Sequence, residues 1–113
     1  MAKRKCKLEI GKFYYVYGGT MHPALIFEYD EKHKTYKSIK FGTTKRKHMT
    51  EIIPIQEGID QSFVVNRPIE GVRDDYGNEE LLGLKINEQN LAFIEEIKTK
   101  ESIKTKRAKQ RYK

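Results

Sequence analysis

The sequence lacks the features that several large classes of protein depend on. Cys6 is its only cysteine, so the chain can form no internal disulfide and has no second thiol for a zinc site. No run approaches the roughly 18 apolar residues of a membrane helix, and neither an apolar segment nor a small-residue cleavage site follows the basic N-terminus, so we expect a cytoplasmic protein with no membrane span. The sequence also has no phosphate-binding loop, no dinucleotide-binding glycine pattern and no zinc-ligand spacing. We therefore expect neither a metal nor a cofactor.

The composition indicates one folded domain with a modest core. Hydrophobic residues make up 37% of the 113 residues and charged residues 35%. This is polar for a globular protein, but aromatic residues reach 11%, which is too many for a disordered chain. We expect residues 1–97 to form a single β-barrel domain with a C-terminal helix. Residues 98–113 are expected to be a basic tail, either helical or disordered.

Charge is distributed very unevenly along the chain. Residues 1–50 contain twelve Lys and Arg against four Asp and Glu, whereas residues 51–97 contain three against eleven. These parts carry +8 and −8, so residues 98–113, with eight basic residues against Glu101, carry the whole net charge of +7. The first half of the domain and the tail would attract a polyanion, and such binding would weaken steeply with salt.

Three β-strands are predicted in the first half of the chain. The aromatic and β-branched run GKFYYVYGG, residues 11–19, is bounded by glycines and predicts the first strand. The apolar run Ala24 to Phe27 predicts the second, which Pro23 can only begin because a proline has no N–H to give to a sheet. A polar turn over residues 30–34 then leads to a third strand, Tyr36 to Phe41.

The second half of the chain contains shorter strand patterns. Strands are predicted over Glu51 to Ile55, Ser62 to Asn66 and Leu81 to Ile86. Between the last two, the acidic stretch EGVRDDYGNEE, Glu70 to Glu80, is predicted to be rich in turns. It resembles no metal site.

A helix is predicted near the end of the domain. Asn87 is a suitable N-cap, because its side-chain oxygen can accept a hydrogen bond from a first-turn N–H. Leu91, Ile94 and Ile97 then recur at three-residue spacing and form an apolar stripe that can lie on the sheet. Five or six short strands followed by one helix predict a mainly β fold, either a strongly bent antiparallel sheet or a partly open barrel.

Four short motifs occur in an order that is informative as a set. GKFYYVYGG is like a known opening strand, and HPALIF is like a strand that begins with arginine and proline. GTT, residues 42–44, is like a Thr-Ser pair at a strand end, and SFVVNRP followed by LLGLKINEQNLAFIEEI is like a pair of last strands with a C-terminal helix. In this order the motifs resemble the MazF/PemK family of bacterial toxins, which are sequence-specific endoribonucleases. The resemblance spans most of residues 11–97.

The resemblance implies a fold, an activity and partners. The fold would be a small Src-homology-3-like barrel of the MazF/PemK/CcdB type, with five to seven short antiparallel strands and a C-terminal α-helix. The activity would be metal-independent cleavage of single-stranded RNA through the 2′-hydroxyl. The protein would form a homodimer and bind an acidic, antitoxin-like partner.

Individual residues of this sequence also correspond to positions of the family's motifs. Pro23 matches the family proline, and Thr43 with Thr44 matches the hydroxyl pair that contacts the scissile phosphate. His22 stands where the family has an arginine, so a titrating imidazole replaces a permanent, bidentate phosphate donor. Asn66 stands where the family often has an aspartate, and an amide cannot act as a base.

Four residues are the candidates for catalysis. His22, with an ordinary histidine pKa of about 6.5, can act as base or acid at neutral pH. Thr43 and Thr44 can donate hydrogen bonds to a non-bridging phosphate oxygen, and Arg67 can supply positive charge. The predicted nucleic-acid contacts are a basic cluster after the threonine pair, a tyrosine for base stacking and cations of the tail: Lys45, Arg46, Lys47, His48, Tyr36, Lys106, Arg107 and Arg111.

Three functions of different classes are open at this point. The first is a toxin-like endoribonuclease acting on RNA. The second is a non-catalytic barrel that binds nucleic acid through its basic edge and tail. The third is a protein-interaction barrel whose surface charge matches an acidic partner.

Overall fold

Most of the described chain is β-sheet. The computed structural model describes residues 8–16, 22–43, 47–52, 63–73, 76–81 and 86–111. The strands are β1 (Phe13–Val16), β2 (His22–Asp30), β3 (Thr35–Gly42), β4 (Met49–Glu51), β5 (Phe63–Val65), β6 (Ile69–Val72), β7 (Tyr76–Glu80) and β8 (Ile103–Lys104). The α-helices are α1 (Leu91–Lys98) and α2 (Lys106–Arg111). No helix in these parts of the chain is both long and apolar enough to cross a membrane.

The sheet bends at β3. Strands β4, β5, β3, β2, β1 and β7 lie side by side in that order and pair antiparallel. The first half of β3, Thr35 to Ser38, also pairs with β6, whereas Phe41 and Gly42 pair with β5. The predicted mainly β fold with a C-terminal helix is confirmed, and its bent sheet is compatible with the small barrel that was expected.

β2 and β3 form a long hairpin at the centre of the sheet. A bulge between Ile26 and Glu28 interrupts their register. At the turn, the backbone N–H of His33 donates to Oδ1 of Asp30 over 3.1 Å, and Nδ1 of His33 lies 2.8 Å from Oδ2 of the same carboxylate. The turn predicted between these strands is therefore confirmed.

One face of the sheet packs against α1. Asn87 starts this segment by accepting a hydrogen bond from the N–H of Gln89 over 3.0 Å, as expected of an N-cap. A 3-10 turn, Glu88–Asn90, then leads into α1. Ile94 and Ile97 are buried, but Leu91 is 44% exposed. The amphipathic helix is confirmed, although Leu91 is not among the residues that it buries. The cluster that it completes contains Phe13, Leu25, Ile39, Phe41, Val64, Ile94 and Ile97.

A tyrosine cluster fills the other face. The rings of Tyr29 and Tyr36 stack with centroids 4.2 Å apart, and Tyr76 meets Tyr36 edge-on at 5.8 Å. The hydroxyl of Tyr76 lies 2.9 Å from Oγ of Ser38, which gives this buried phenol a polar partner. Aromatic pairs of this geometry stabilise a core beyond the area they bury.

The C-terminal segment, residues 99–111, lies against β6. Here β8 adds a parallel pairing, and the N–H groups of Ile103 and Thr105 donate to the carbonyls of Pro68 and Glu70 over 2.7 and 2.9 Å. Oγ1 of Thr105 accepts from the N–H of Ala108 over 3.2 Å and so caps α2. Ala108 is fully buried.

The acidic stretch is where the sequence-based prediction of turns is wrong. Residues 69–72 and 76–80 are strands rather than turns. Because β6 pairs with β3 on one edge and with β8 on the other, tertiary pairing overrides the local turn preference of Glu70 and Gly71. β4 begins earlier than predicted and ends at Glu51. Of the other predicted strand residues, 53–55, 62 and 82–85 lie outside the described residues, and the structure places Ile52, Asn66, Leu81 and Ile86 outside its strands.

We predict that alkaline unfolding depends on Tyr36. Burial, helped by the nearby Tyr29, raises the pKa of Tyr36 to about 12. The unfolded phenol ionises near pH 10, so this contribution to stability is complete below about pH 10 and is lost as the pH rises towards 12. Urea unfolding followed by circular dichroism should show that Tyr36→Phe loses less stability over this interval than wild type, by on the order of 1 to 2 kcal/mol.

Tyr15→Phe is the matched control, because Tyr15 lies on β1, two strands away from Tyr36 on β3, and is only half-buried. It removes one phenol while leaving the tyrosine cluster intact. An equal effect of the two variants on the pH dependence would contradict the assignment to Tyr36.

Candidate functional site

Two of the predicted catalytic residues lie at the same end of the two central strands. The β2–β3 register places Ala24 opposite Lys40. Continued by two residues, it sets His22 level with Gly42, immediately before Thr43. Neighbouring strands are about 5 Å apart, so the fold brings these positions to one end of the sheet. His22 is half-buried and Thr43 is exposed.

The connection between β3 and β4 carries two exposed candidates. Lys47 and His48 are both exposed, and His48 has φ +68°, a left-handed conformation that is uncommon outside glycine. Its carbonyl accepts from the N–H of Asn66 over 2.9 Å. The side-chain oxygen of Asn66 in turn accepts from the hydroxyl of Thr50, so this side chain has a structural partner. The predicted contacts Thr44, Lys45 and Arg46 lie outside the described residues.

Arg67 lies in the connection between β5, which pairs with Phe41 and Gly42, and β6, whose Ile69 pairs with Ser38. Its side chain is directed to the C-terminal segment. Nε donates to the carbonyl of Glu101 over 2.7 Å and Nη2 to that of Ser102 over 3.5 Å.

The predicted stacking residue is in the core. Tyr36 is 3% exposed and lies between two other tyrosine rings, so no base can stack on it and we leave it out of the site. The predicted tail residues Lys106, Arg107 and Arg111 all belong to α2. Lys106 and Arg107 are exposed.

A cleft of about 770 Å³ separates α2 and β8 from the hairpin. Its β2, β3 and β6 side carries both acidic and basic groups, and its opposite side is the C-terminal segment. The lining residues are Glu28, Asp30, Thr35, Lys37, Arg67, Glu70, Lys100, Glu101, Ser102, Ile103, Lys104 and Lys109. Arg67 therefore belongs to this cleft rather than to the end of the sheet that carries His22.

Sequence reasoning missed the cleft because it treated residues 98–113 as a separate tail. Few apolar residues occur there, and the like charges argued against packing. One signal was present: Thr105 precedes Ala108 by three residues, which is the spacing of an N-cap and the N–H that it accepts.

The described residues contain no group of three or more His, Cys, Asp or Glu side chains arranged to hold a metal ion. The chemistry available at the His22 end is that of an imidazole, a hydroxyl and nearby cations.

Comparison with known proteins supports the fold. One solved structure that shares it is an endoribonuclease in complex with its cognate antitoxin from a mycobacterial species. The match has a TM-score of 0.51 at 17% identity and covers 79% of this chain and 88% of that chain. At this identity the likeness establishes the fold and assigns no role to a residue. No protein-family model and no curated protein matches the sequence.

We predict that Arg67 holds the C-terminal segment in place. Arg67→Gln removes the guanidinium that bridges two carbonyls of this segment. Because hydrogen bonds from a charged donor contribute about 1.5 to 3 kcal/mol, and less where the donor is exposed, we expect local opening to increase about 10-fold. Limited trypsin digestion, with mass spectrometry of cleavage after Lys100 and Lys104, measures this opening.

Arg73→Gln is the control for this experiment. Nη1 of Arg73 also donates to a carbonyl, that of Tyr76 over 3.3 Å, but in another part of the sheet. If both variants cleave at the wild-type rate after Lys100 and Lys104, Arg67 does not hold the segment.

Proposed function

We propose that this protein is a MazF/PemK-like, toxin-type endoribonuclease that cleaves single-stranded RNA without a metal ion. The observation that carries the proposal is that His22, at the start of β2, and Thr43, just after the end of β3, lie at the same end of the central hairpin. This position pairs an imidazole with a hydroxyl in a fold shared with a known endoribonuclease. The exposed Lys47 on the same connection adds positive charge.

The proposed reaction needs only groups of these types. The neutral imidazole of His22 takes the proton of a ribose 2′-hydroxyl, and the 2′-oxygen forms a bond to phosphorus. Thr43 donates a hydrogen bond to a non-bridging oxygen as negative charge develops there. The bond from phosphorus to the 5′-oxygen breaks, and that oxygen takes a proton from solvent. The products are a 2′,3′-cyclic phosphate and a 5′-hydroxyl.

The proposal includes partners. We propose a homodimer and an acidic, antitoxin-like protein as binding partners, because the resemblance implies both and the protein with the similar fold was solved with its cognate antitoxin. The strongly basic C-terminal segment supplies charge complementary to such a partner.

A non-catalytic nucleic-acid-binding protein is the second candidate. The observation that favours it is the placement of Arg67, which lies in the cleft and is bound to Glu101 and Ser102 rather than beside Thr43. Under this alternative the chain binds RNA through its basic surface without turnover.

The test is cleavage of an unstructured, end-labelled RNA in the presence of a chelator. We expect wild type to cleave RNA but not the DNA of the same sequence, which lacks the 2′-hydroxyl, and to leave a 2′,3′-cyclic phosphate. His22→Ala should lower the rate by about 100-fold or more, as is typical for loss of a general base. Thr43→Val should lower it by about 100-fold through loss of one donor to the transition state.

His33→Ala is the matched control. His33 is at the opposite end of the hairpin, paired with Asp30, so this variant should cleave at the wild-type rate. Wild type that binds RNA but leaves it intact at every protein concentration would establish the second candidate instead.

A further inference from the structure

The geometry points to the cleft between the C-terminal segment and β2, β3 and β6 as a holding site for single-stranded RNA, with lysines binding phosphates and carboxylates binding base amino groups. This inference rests on the proposed function and adds a substrate-binding surface to it. The observations that support it do not involve His22 or Thr43. They are the residues that line the cleft, the ion pairs of those residues and the contacts that fix the C-terminal segment.

Three of the four carboxylates of the cleft are balanced by cations of the protein itself. The pairs are Glu28 with Lys37 at 3.6 Å, Glu70 with Lys104 at 3.9 Å, and Glu101 with Arg67 at 3.9 Å. The fourth carboxylate, Asp30, lies 2.8 Å from Nδ1 of His33. The three ion-paired carboxylates therefore cancel little of the attraction that the remaining lysines exert on an anion.

Lys100 and Lys109 supply the excess positive charge. Both line the cleft, and neither forms an ion pair with another described residue. They belong to a segment, residues 98–111, that carries seven Lys and Arg against Glu101. One side of the cleft is thus strongly cationic and able to bind phosphates.

The lysines are held in place by ordered backbone. Lys100 follows α1, and its N–H donates to the carbonyl of Ile97 over 3.0 Å. Lys109 is on α2, whose position is fixed by the Thr105 cap and by the fully buried Ala108. A fixed row of cations loses less entropy on binding than a disordered tail would.

The acidic side of the cleft distinguishes RNA from an acidic peptide. Glu28 on β2 is more than half exposed even though Lys37 is near, so its oxygens can accept further hydrogen bonds. Unpaired bases present amino groups to such acceptors, as cytosine N4 does to Glu or Asp. A peptide rich in Asp and Glu offers the lysines a match, but its ionised side chains have no hydrogen-bond donor for Glu28. A single nucleic-acid strand satisfies both sides.

The cleft is remote from the proposed reaction. Lys37 and Thr43 are six residues apart, roughly 20 Å along β3. Groups in the cleft therefore hold a part of the RNA strand several nucleotides from the cleaved bond and do not touch the reacting atoms.

Binding of fluorescent, unstructured RNA at several salt concentrations tests the phosphate contacts. We compare wild-type protein with the double variant Lys100→Gln/Lys109→Gln, measuring fluorescence anisotropy. Loss of two phosphate contacts should make the slope of log K against log salt shallower by about 1.4, since each contact to a single strand contributes about 0.7. We expect a several-fold loss of affinity at low salt.

The control is Lys12→Gln/Lys32→Gln. It removes two positive charges from positions outside the cleft, so its salt slope should remain that of wild type. Equal effects of the two double variants would overturn the cleft and leave only a general dependence on net charge. Unchanged RNA binding by the cleft variant, together with lost binding of poly-glutamate, would show instead that the cleft takes an acidic protein.

A second measurement tests the base contacts. Glu28 should favour oligocytidine, whose bases carry an amino group, over oligouridine, whose bases do not. We expect Glu28→Gln to reduce the ratio of these two affinities by several-fold, whereas Glu31→Gln, at the exposed turn, should leave it unchanged. An unaltered affinity ratio in Glu28→Gln would contradict the proposed contact between the Glu28 carboxylate and base amino groups.

The cleft and the proposed reaction can fail separately. If wild type binds RNA through the cleft but does not cleave it, the holding site is supported and the endoribonuclease activity is contradicted. If the cleft variant cleaves and binds RNA as wild type does, the reaction is supported and the holding site is contradicted.

Discussion

The division of β3 between two partners is the constraint on which the rest of the structure depends. A strand has two edges, and one of these is occupied by β2 from Thr35 to Lys40. The other edge pairs with β6 over its first half and with β5 over its last two residues. The pairing with β6 lies towards the hairpin turn and the cleft, and the pairing with β5 lies towards the end that carries His22 and Thr43.

The pleat of β3 determines which of its side chains share a face. Alternation along β3 directs Ile39 and Phe41 to the cluster under α1, whereas Tyr36 and Ser38 meet the tyrosine cluster. Both faces are thus covered near the middle of the sheet, and the polar groups remain at its two ends. Chemistry is therefore expected at the ends of the hairpin.

The sequence predicted the parts of the fold in which local preference and tertiary pairing agree. The β2–β3 hairpin has apolar runs, a polar turn and a first-residue proline, and the Asn87 cap has a specific partner. The prediction of turns in the acidic stretch was wrong because β6 is a strand only through its pairing with β3 and β8. The local sequence around Glu70 does not indicate that pairing. The candidate site divides in the same way. His22 and Thr43 follow from the hairpin register, but the position of Arg67 depends on a segment more than thirty residues later in the chain.

The stability of that later segment is an electrostatic problem as well as a packing one. Seven cations within residues 98–111 repel one another, and Ala108 is the one apolar side chain that the described part of α2 buries. The opposing contributions are local and specific: backbone hydrogen bonds to Pro68 and Glu70, and Glu70 itself, a 5% exposed carboxylate 3.9 Å from Lys104. A carboxylate costs free energy to bury unless cations lie close to it, and the lysines cost free energy to gather unless anions lie close to them. Packing the segment on β6 meets both needs at once, which explains why so basic a sequence folds back onto the sheet.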